Sequence, residues 1–147
     1  MTLSKEVKNK ITDHYGAEVI VEDWGYIVDD LSKSFQWSGS KIRWSTVSGH
    51  EFRKLDGRYG DWLIQINAFI SGGAASDAIN TSGFFYYVND SSLDFAVIMD
   101  TSQFYSFLDY VINSIPQHHY FTDKKKRWCL VISSEGYIDF GYSHNNF

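Results

Sequence analysis

Arg127-Trp128-Cys129-Leu130-Val131-Ile132-Ser133-Ser134-Glu135-Gly136-Tyr137-Ile138-Asp139-Phe140-Gly141-Tyr142 is the stretch whose reading decides the fold class. Trp128, Leu130 and Ile132 alternate with Cys129, Val131 and Ser133, a second apolar run follows from Tyr137, and Ser134-Glu135-Gly136 punctuates the two. Period-two alternation on both sides of a glycine-bearing turn predicts an antiparallel hairpin. A second hairpin is predicted where Phe84-Phe85-Tyr86-Tyr87-Val88 and Leu93-Asp94-Phe95-Ala96-Val97-Ile98 flank Asn89-Asp90-Ser91-Ser92. Trp62 to Ile70 reads as the strongest single strand, with Trp62, Ile64, Ile66, Ala68 and Ile70 on one face and Gln65 and Asn67 on the other. Shorter strands are expected at Glu18–Glu22, Lys41–Val47 and His50–Leu55, the last two separated by Ser48-Gly49 and followed by the turn signal Asp56-Gly57.

The remaining periodicity is helical. Leu3, Val7 and Ile11 recur at four-residue spacing, and Gly16 is placed to stop that helix. Ile27, Val28, Leu31 and Phe35 predict a second helix over 26–36, with Asp23 as its start signal. Phe104, Phe107, Leu108, Val111, Ile112 and Ile115 form a wide apolar stripe between a cap at Asp100 or Thr101 and a stop at Pro116. Residues 71–83 read as loop, as do His118-His119 after Pro116, and 143–147 as a loose tail. The sum is one α+β domain over 1–147, an antiparallel β-sheet of about six strands with helices packed on one face.

Composition narrows the function classes. One proline and one cysteine, Cys129, exclude a disulfide framework and an all-cysteine metal site. Cys129 alternates inside an apolar strand and is expected to pack rather than react. His118-His119 are adjacent and so diverge, and His14, His50 and His144 are far apart; no zinc-ligand spacing, nucleophile elbow or phosphate loop occurs, and Gly72-Gly73 stands without a lysine-serine continuation. The acid pairs Glu22-Asp23 and Asp29-Asp30 suit solvation or capping. We therefore expect no enzyme, cofactor or metal, while any of the three dispersed histidines could still meet a carboxylate in space. Met1 to Glu6 lead into charge-dotted sequence without a signal-peptide core, no apolar run is long enough to cross a bilayer, and the expected location is cytoplasmic.

Charge is segregated. The net charge is −5, but between Arg58 and Lys124 the chain carries Asp61, Asp77, Asp90, Asp94, Asp100, Asp109 and Asp123 with no Lys or Arg, and Lys124-Lys125-Lys126-Arg127 follows at once. This pattern disfavours nucleic acid, which needs a broad cationic face, and suits a basic protein partner; it is equally the pattern of an acidic protein whose charges cluster. Aromatics make up 18% of residues and interleave with acids. In Phe84–Val88 one alternating row must be core; the other is buried as well, forms an outward protein-binding face, or lines a ligand cavity.

The amphipathic helix Ser102–Ile115 followed by the Trp-led strand, glycine turn and acidic-aromatic strand of 126–142 resembles the end of YezG-like immunity proteins, within the immunity proteins of bacterial polymorphic-toxin and contact-dependent growth inhibition systems. The resemblance covers about 45 residues and carries no catalytic motif. It implies a protein that binds the C-terminal toxin domain of a cognate effector, usually a nuclease, and blocks its active site or substrate surface. The expected contact residues are Asp77, Asp90, Asp94, Tyr137, Asp139 and Tyr142, placed in loops and at hairpin ends where exposure is greatest. The alternative is a small-molecule-binding or enzymatic domain with a curved sheet around an apolar pocket, supported by the aromatic content and by Gln65 and Asn67.

Overall fold

The computed structural model describes the chain apart from Met1, Ser40, Asp90, Ser91, Gln117 and residues 144–147, and the side chain of Tyr59. Its first helix, α1 (Leu3–Tyr15), starts at Thr2, whose hydroxyl accepts from the Lys5 N–H, and ends at Gly16 with φ 101°. That positive φ is reached without a side-chain penalty by glycine, as the sequence anticipates. Strand β1 (Ile20–Val21) and helix α2 (Gly25–Ser34) follow. No side chain caps α2, so Asp23 does not serve as its start signal. A two-stranded ribbon, β2 (Trp37–Ser38) with β3 (Lys41–Ile42), leads to the seven-residue strand β4 (Ser48–Lys54).

The next segment departs from the sequence reading. Trp62–Ser71 is a helix, α3, and Ala74–Ser82 a second one, α4. Alternation in 62–70 coincides with a four-residue period at Trp62, Ile66 and Ile70, and these are the residues buried at 8%, 0% and 0% exposure; Ile64, which a strand would bury beside them, is 82% exposed. Gln65 does not face away from a sheet but clamps the exit of β4, accepting from the Asp56 N–H and donating to the Asp56 carbonyl, both at 2.8 Å. In α4 the buried residues Ala75, Ala78 and Ile79 have helical spacing that the small residues around them mask. The Glu51 carboxylate on β4 accepts from the Ala74 N–H at 3.1 Å, placing a negative charge at the start of α4.

Strands β5 (Phe84–Asn89) and β6 (Ala96–Asp100) pair as expected, although β6 begins after the Leu93–Phe95 read into it and runs on to Asp100; Asp100 accepts from the Ser102 N–H, and α5 (Phe104–Ser114) ends before Pro116. His119–Asp123, expected in part as loop, is strand β7, and the closing hairpin is β8 (Trp128–Ser133) with β9 (Tyr137–Tyr142). The predicted strand over Lys41–Val47 keeps only β3, because Trp44–Thr46 closes into a 3-10 turn. That turn lies against Gly141 on β9, where a Cβ would collide with the Val47 side chain.

The main sheet is antiparallel with order β1-β6-β5-β7-β8-β9-β4. Helices α1, α3, α4 and α5 cover one face: Val7, Ile11, Ile66, Ile79, Phe104, Phe107 and Val111 pack onto Phe85, Tyr87, Phe121, Leu130 and Phe140. Each of the fully buried side chains here stabilises the fold by roughly 1.5–3 kcal/mol. The opposite face is covered as well, by Ile27 and Leu31 of α2, Phe35 just after it and Ile42 of the ribbon, on Tyr86, Val88, Tyr120, Cys129 and Val131. The α+β antiparallel architecture is thus as read from sequence, with a second, thinner layer added. Both alternating rows of β5 are core, so the outward aromatic face considered for 84–88 does not form; only Phe84 at its start is exposed. Among the described residues no helix is long and apolar enough to cross a membrane.

Candidate functional site

The described members of the expected contact set lie apart. Asp77 is exposed in the first turn of α4. Asp94 precedes β6, bound to Ser4 through both its carboxylate (2.6 Å) and its N–H (3.1 Å). The Ser4 hydroxyl first, then Lys8 and Lys5, hold its carboxyl below the usual aspartate value. Tyr137 and Asp139 share the ribbon-covered face of β9, four strand positions from β6. Tyr142 packs edge-on to Phe140, 5.3 Å between ring centres, on the helix-covered face. Asp90 lies outside the described residues, as does His144. The single acidic patch expected of this set is therefore not assembled: strand parity sends Asp139 and Tyr142 to opposite faces.

Several acids are also neutralised internally. Asp123, 1% exposed, binds the Arg127 side chain and N–H, each at 2.7 Å. Lys126 is buried against the Tyr86 ring (4.7 Å to its centre) and reaches Asp30 at 3.4 Å. Half of the basic block after the acidic run is thus paired with acids of this chain, Lys126 from a buried position and Arg127 from a partly exposed one.

Two arrangements were not legible as sites in the sequence. The first joins His50 of β4 to Asp139 of β9. His50 Nε2 stands 2.7 Å from Asp139 Oδ1, and the Trp44 indole stacks on the imidazole with ring centres 4.9 Å apart. Beside them Phe52, largely exposed, stacks on Tyr137 at 5.6 Å. Burial raises the Asp139 carboxyl above the ordinary aspartate value, opposed by the hydrogen bond and charge of His50. The dispersed His50 does meet a carboxylate, at the rim of a small cleft of about 120 Å³ that Asp139 lines.

The second is the outer surface of the helical layer. Helices α3 and α4 touch, and both α4 and α5 touch the 3-10 turn Thr101–Gln103 that introduces α5. Along all three helices the only formal charges are Asp77 and Asp109, with Asp61 and Asp100 at their approaches and no Lys or Arg. Exposed positions are otherwise Ala, Ser, Thr and Asn, together with Ile64 at 82% and Tyr105 at 42%. The sequence signal was the cation-free run itself; reading 62–70 as a strand hid the surface it builds.

The buried polar groups form a third feature, enclosed rather than accessible. The Tyr87 hydroxyl accepts from Asn89 Nδ2 (3.2 Å) and lies 2.7 Å from His119 Nδ1. Among the described residues the other ring nitrogen, Nε2, has no hydrogen-bond partner. Burial lowers the His119 pKa to about 4 and keeps the ring neutral. Cys129 is fully buried and its thiol is pushed up by burial, a packing residue as expected. No protein-family model matches the chain, and no curated protein matches it in sequence.

Proposed function

We propose that the protein is a toxin-neutralising immunity protein that docks on a cognate toxin domain, a nuclease with a cationic cleft, through the outer surface of α3, α4 and α5. The observation carrying this reading is the surface just described: helices that bear carboxylates and no Lys or Arg of their own, with an almost fully exposed isoleucine. Interface centres are depleted of charged residues and hold apolar anchors, and a net anionic rim steers association with a basic partner. The likeness of 126–142 to immunity proteins supports the same reading. In this arrangement Ile64 is the anchor, Asp61, Asp77 and Asp109 supply the negative charge of the layer, and the helical layer occludes the cleft that nucleic acid would enter. Of the residues expected from sequence, Asp77 stays in the contact set; Asp94, Tyr137, Asp139 and Tyr142 leave it.

The test is co-expression with C-terminal toxin domains of secreted polymorphic effectors, starting with any that the gene immediately upstream encodes. The expected result is protected growth and a one-to-one complex, both lost in the pair Ile64→Lys and Asp77→Lys while the melting temperature is retained. Protection that survives the pair moves docking off the helical layer, and failure of the native chain to bind any of these domains overturns the reading.

A further inference from the structure

On the face opposite α3–α5, a groove of about 850 Å³ opens between α2 and the β2–β3 ribbon. Its walls are ring-rich: Trp24 and Phe35 come from the α2 side, Trp37 from the ribbon, and Tyr120 from the sheet. Trp37 Nε1 donates to the Leu31 carbonyl at 3.3 Å, which ties the ribbon to the helix, and the Arg43 N–H donates to the Gln36 carbonyl at 2.8 Å, which closes the base of the ribbon. The groove therefore has set walls and is not a gap between loosely associated elements.

Its charge is opposite to that of the chain. The net charge is −5, yet Lys33 and Arg43 line the groove and no described lining residue is a carboxylate. Among the described residues neither of these two cations is paired with an acid, whereas Lys8, Lys41, Lys126 and Arg127 each are. Both are exposed, one from each wall. Flat apolar walls with two unpaired cations at the margin complement a planar ring carrying an acidic group, because rings stack on indole and phenyl faces while a guanidinium takes an oxyanion in bidentate fashion. The volume suits one drug-sized molecule, and two cations neutralise one acidic group rather than a polymer.

The geometry points to a ligand site in this groove for a small planar aromatic anion, a ring system bearing a carboxylate, sulfonate or phosphate. Stacking on Trp24 and Trp37 holds the ring, and Arg43 with Lys33 holds the acidic group. The site is independent of the toxin-binding reading, which uses the other face.

The probe is the aromatic sulfonate anilinonaphthalene sulfonate, with phenylnaphthylamine as its uncharged counterpart, titrated into the native chain while amide NMR shifts are followed. Saturable one-site binding is expected, with shifts confined to α2, the ribbon, Val88, Asn89 and Tyr120. The double variant Lys33→Gln and Arg43→Gln should weaken the sulfonate about tenfold and leave the neutral probe within about twofold. No saturable binding, equal loss for both probes, or shifts centred on Ile64 would overturn the proposal. So would tetraglutamate displacing the sulfonate with the same dependence on Lys33 and Arg43, which would make the groove a seat for an acidic protein segment.

Discussion

Asp139 Oδ1 lies 2.7 Å from His50 Nε2, tying β9 to the edge strand β4 through a buried carboxylate and a partly exposed imidazole. Burial raises the Asp139 carboxyl above its unfolded value of 3.8, so the native chain holds that proton more tightly than the unfolded chain. Stability from this group is therefore lost as pH rises from about 4 through the folded pKa, and does not return above it. Asp139→Asn keeps an acceptor for His50 and removes the buried charge. Its melting temperature relative to the native protein should rise between about pH 4 and about pH 7. Thermal melts across that range check this, and a relative fall would show that the pair with His50 outweighs desolvation.

His119 gives the opposite slope on the acid side. Its folded pKa of about 4 lies below the unfolded 6.5, so the unfolded chain takes up a proton that the native ring refuses. Stability falls as pH drops through that window, by about 3 kcal/mol at its foot. Replacing His119 and Tyr87 together by Phe removes the imidazole and the hydroxyl that serves it, and Asn89 keeps the Pro116 and His118 carbonyls. Urea unfolding of the double variant should show a flattened acid limb, and an unchanged limb would assign the acid sensitivity elsewhere.

Ile64 and Ile66 separate the two readings of α3. In a strand they would share a face; in the helix Ile66 is fully buried and Ile64 is 82% exposed. Ile66→Ala should cost about 2–5 kcal/mol, and Ile64→Ala less than about 0.5 kcal/mol. Comparable costs in chemical denaturation would contradict the helix.

Trp128 and Ser82 should be energetically coupled. The indole Nε1 donates to Ser82 Oγ at 2.9 Å, and that hydroxyl donates to the Ala78 carbonyl at 2.6 Å, fastening β8 to the last turn of α4. Ser82→Ala strands a buried N–H and should cost about 1–3 kcal/mol. Trp128→Phe combined with Ser82→Ala should cost less than the sum of the single changes, as a double-mutant cycle in urea would measure. Strict additivity would mean that the bond contributes nothing.

Local signals made part of this molecule legible. The stripes of α1 and α5, the glycine and proline that end them, and the alternation of β5–β6 and β8–β9 are each contained in a short consecutive segment, and each forms the element read from it, β6 alone being displaced toward its C-terminal end. Cys129 as a packing residue follows from the same alternation. The antiparallel α+β class needed nothing more than these elements.

Contacts between distant segments decided the rest. Positions 62, 66 and 70 satisfy period two and a four-residue helical spacing at once, and only the sheet face that receives them selects the helix and turns Ile64 outward. Asp139 meets His50 because β4, early in the chain, pairs with β9 at its end, and strand parity parts Asp139 from Tyr142, three residues on. The cation-free run becomes a surface only when α3, α4 and α5 come to cover the same face of the sheet, and Lys33 and Arg43 come to line one groove only when the ribbon folds against α2. Periodicity carries the direction of each side chain within its own element; which neighbour that side chain meets is fixed by the layer on the other side.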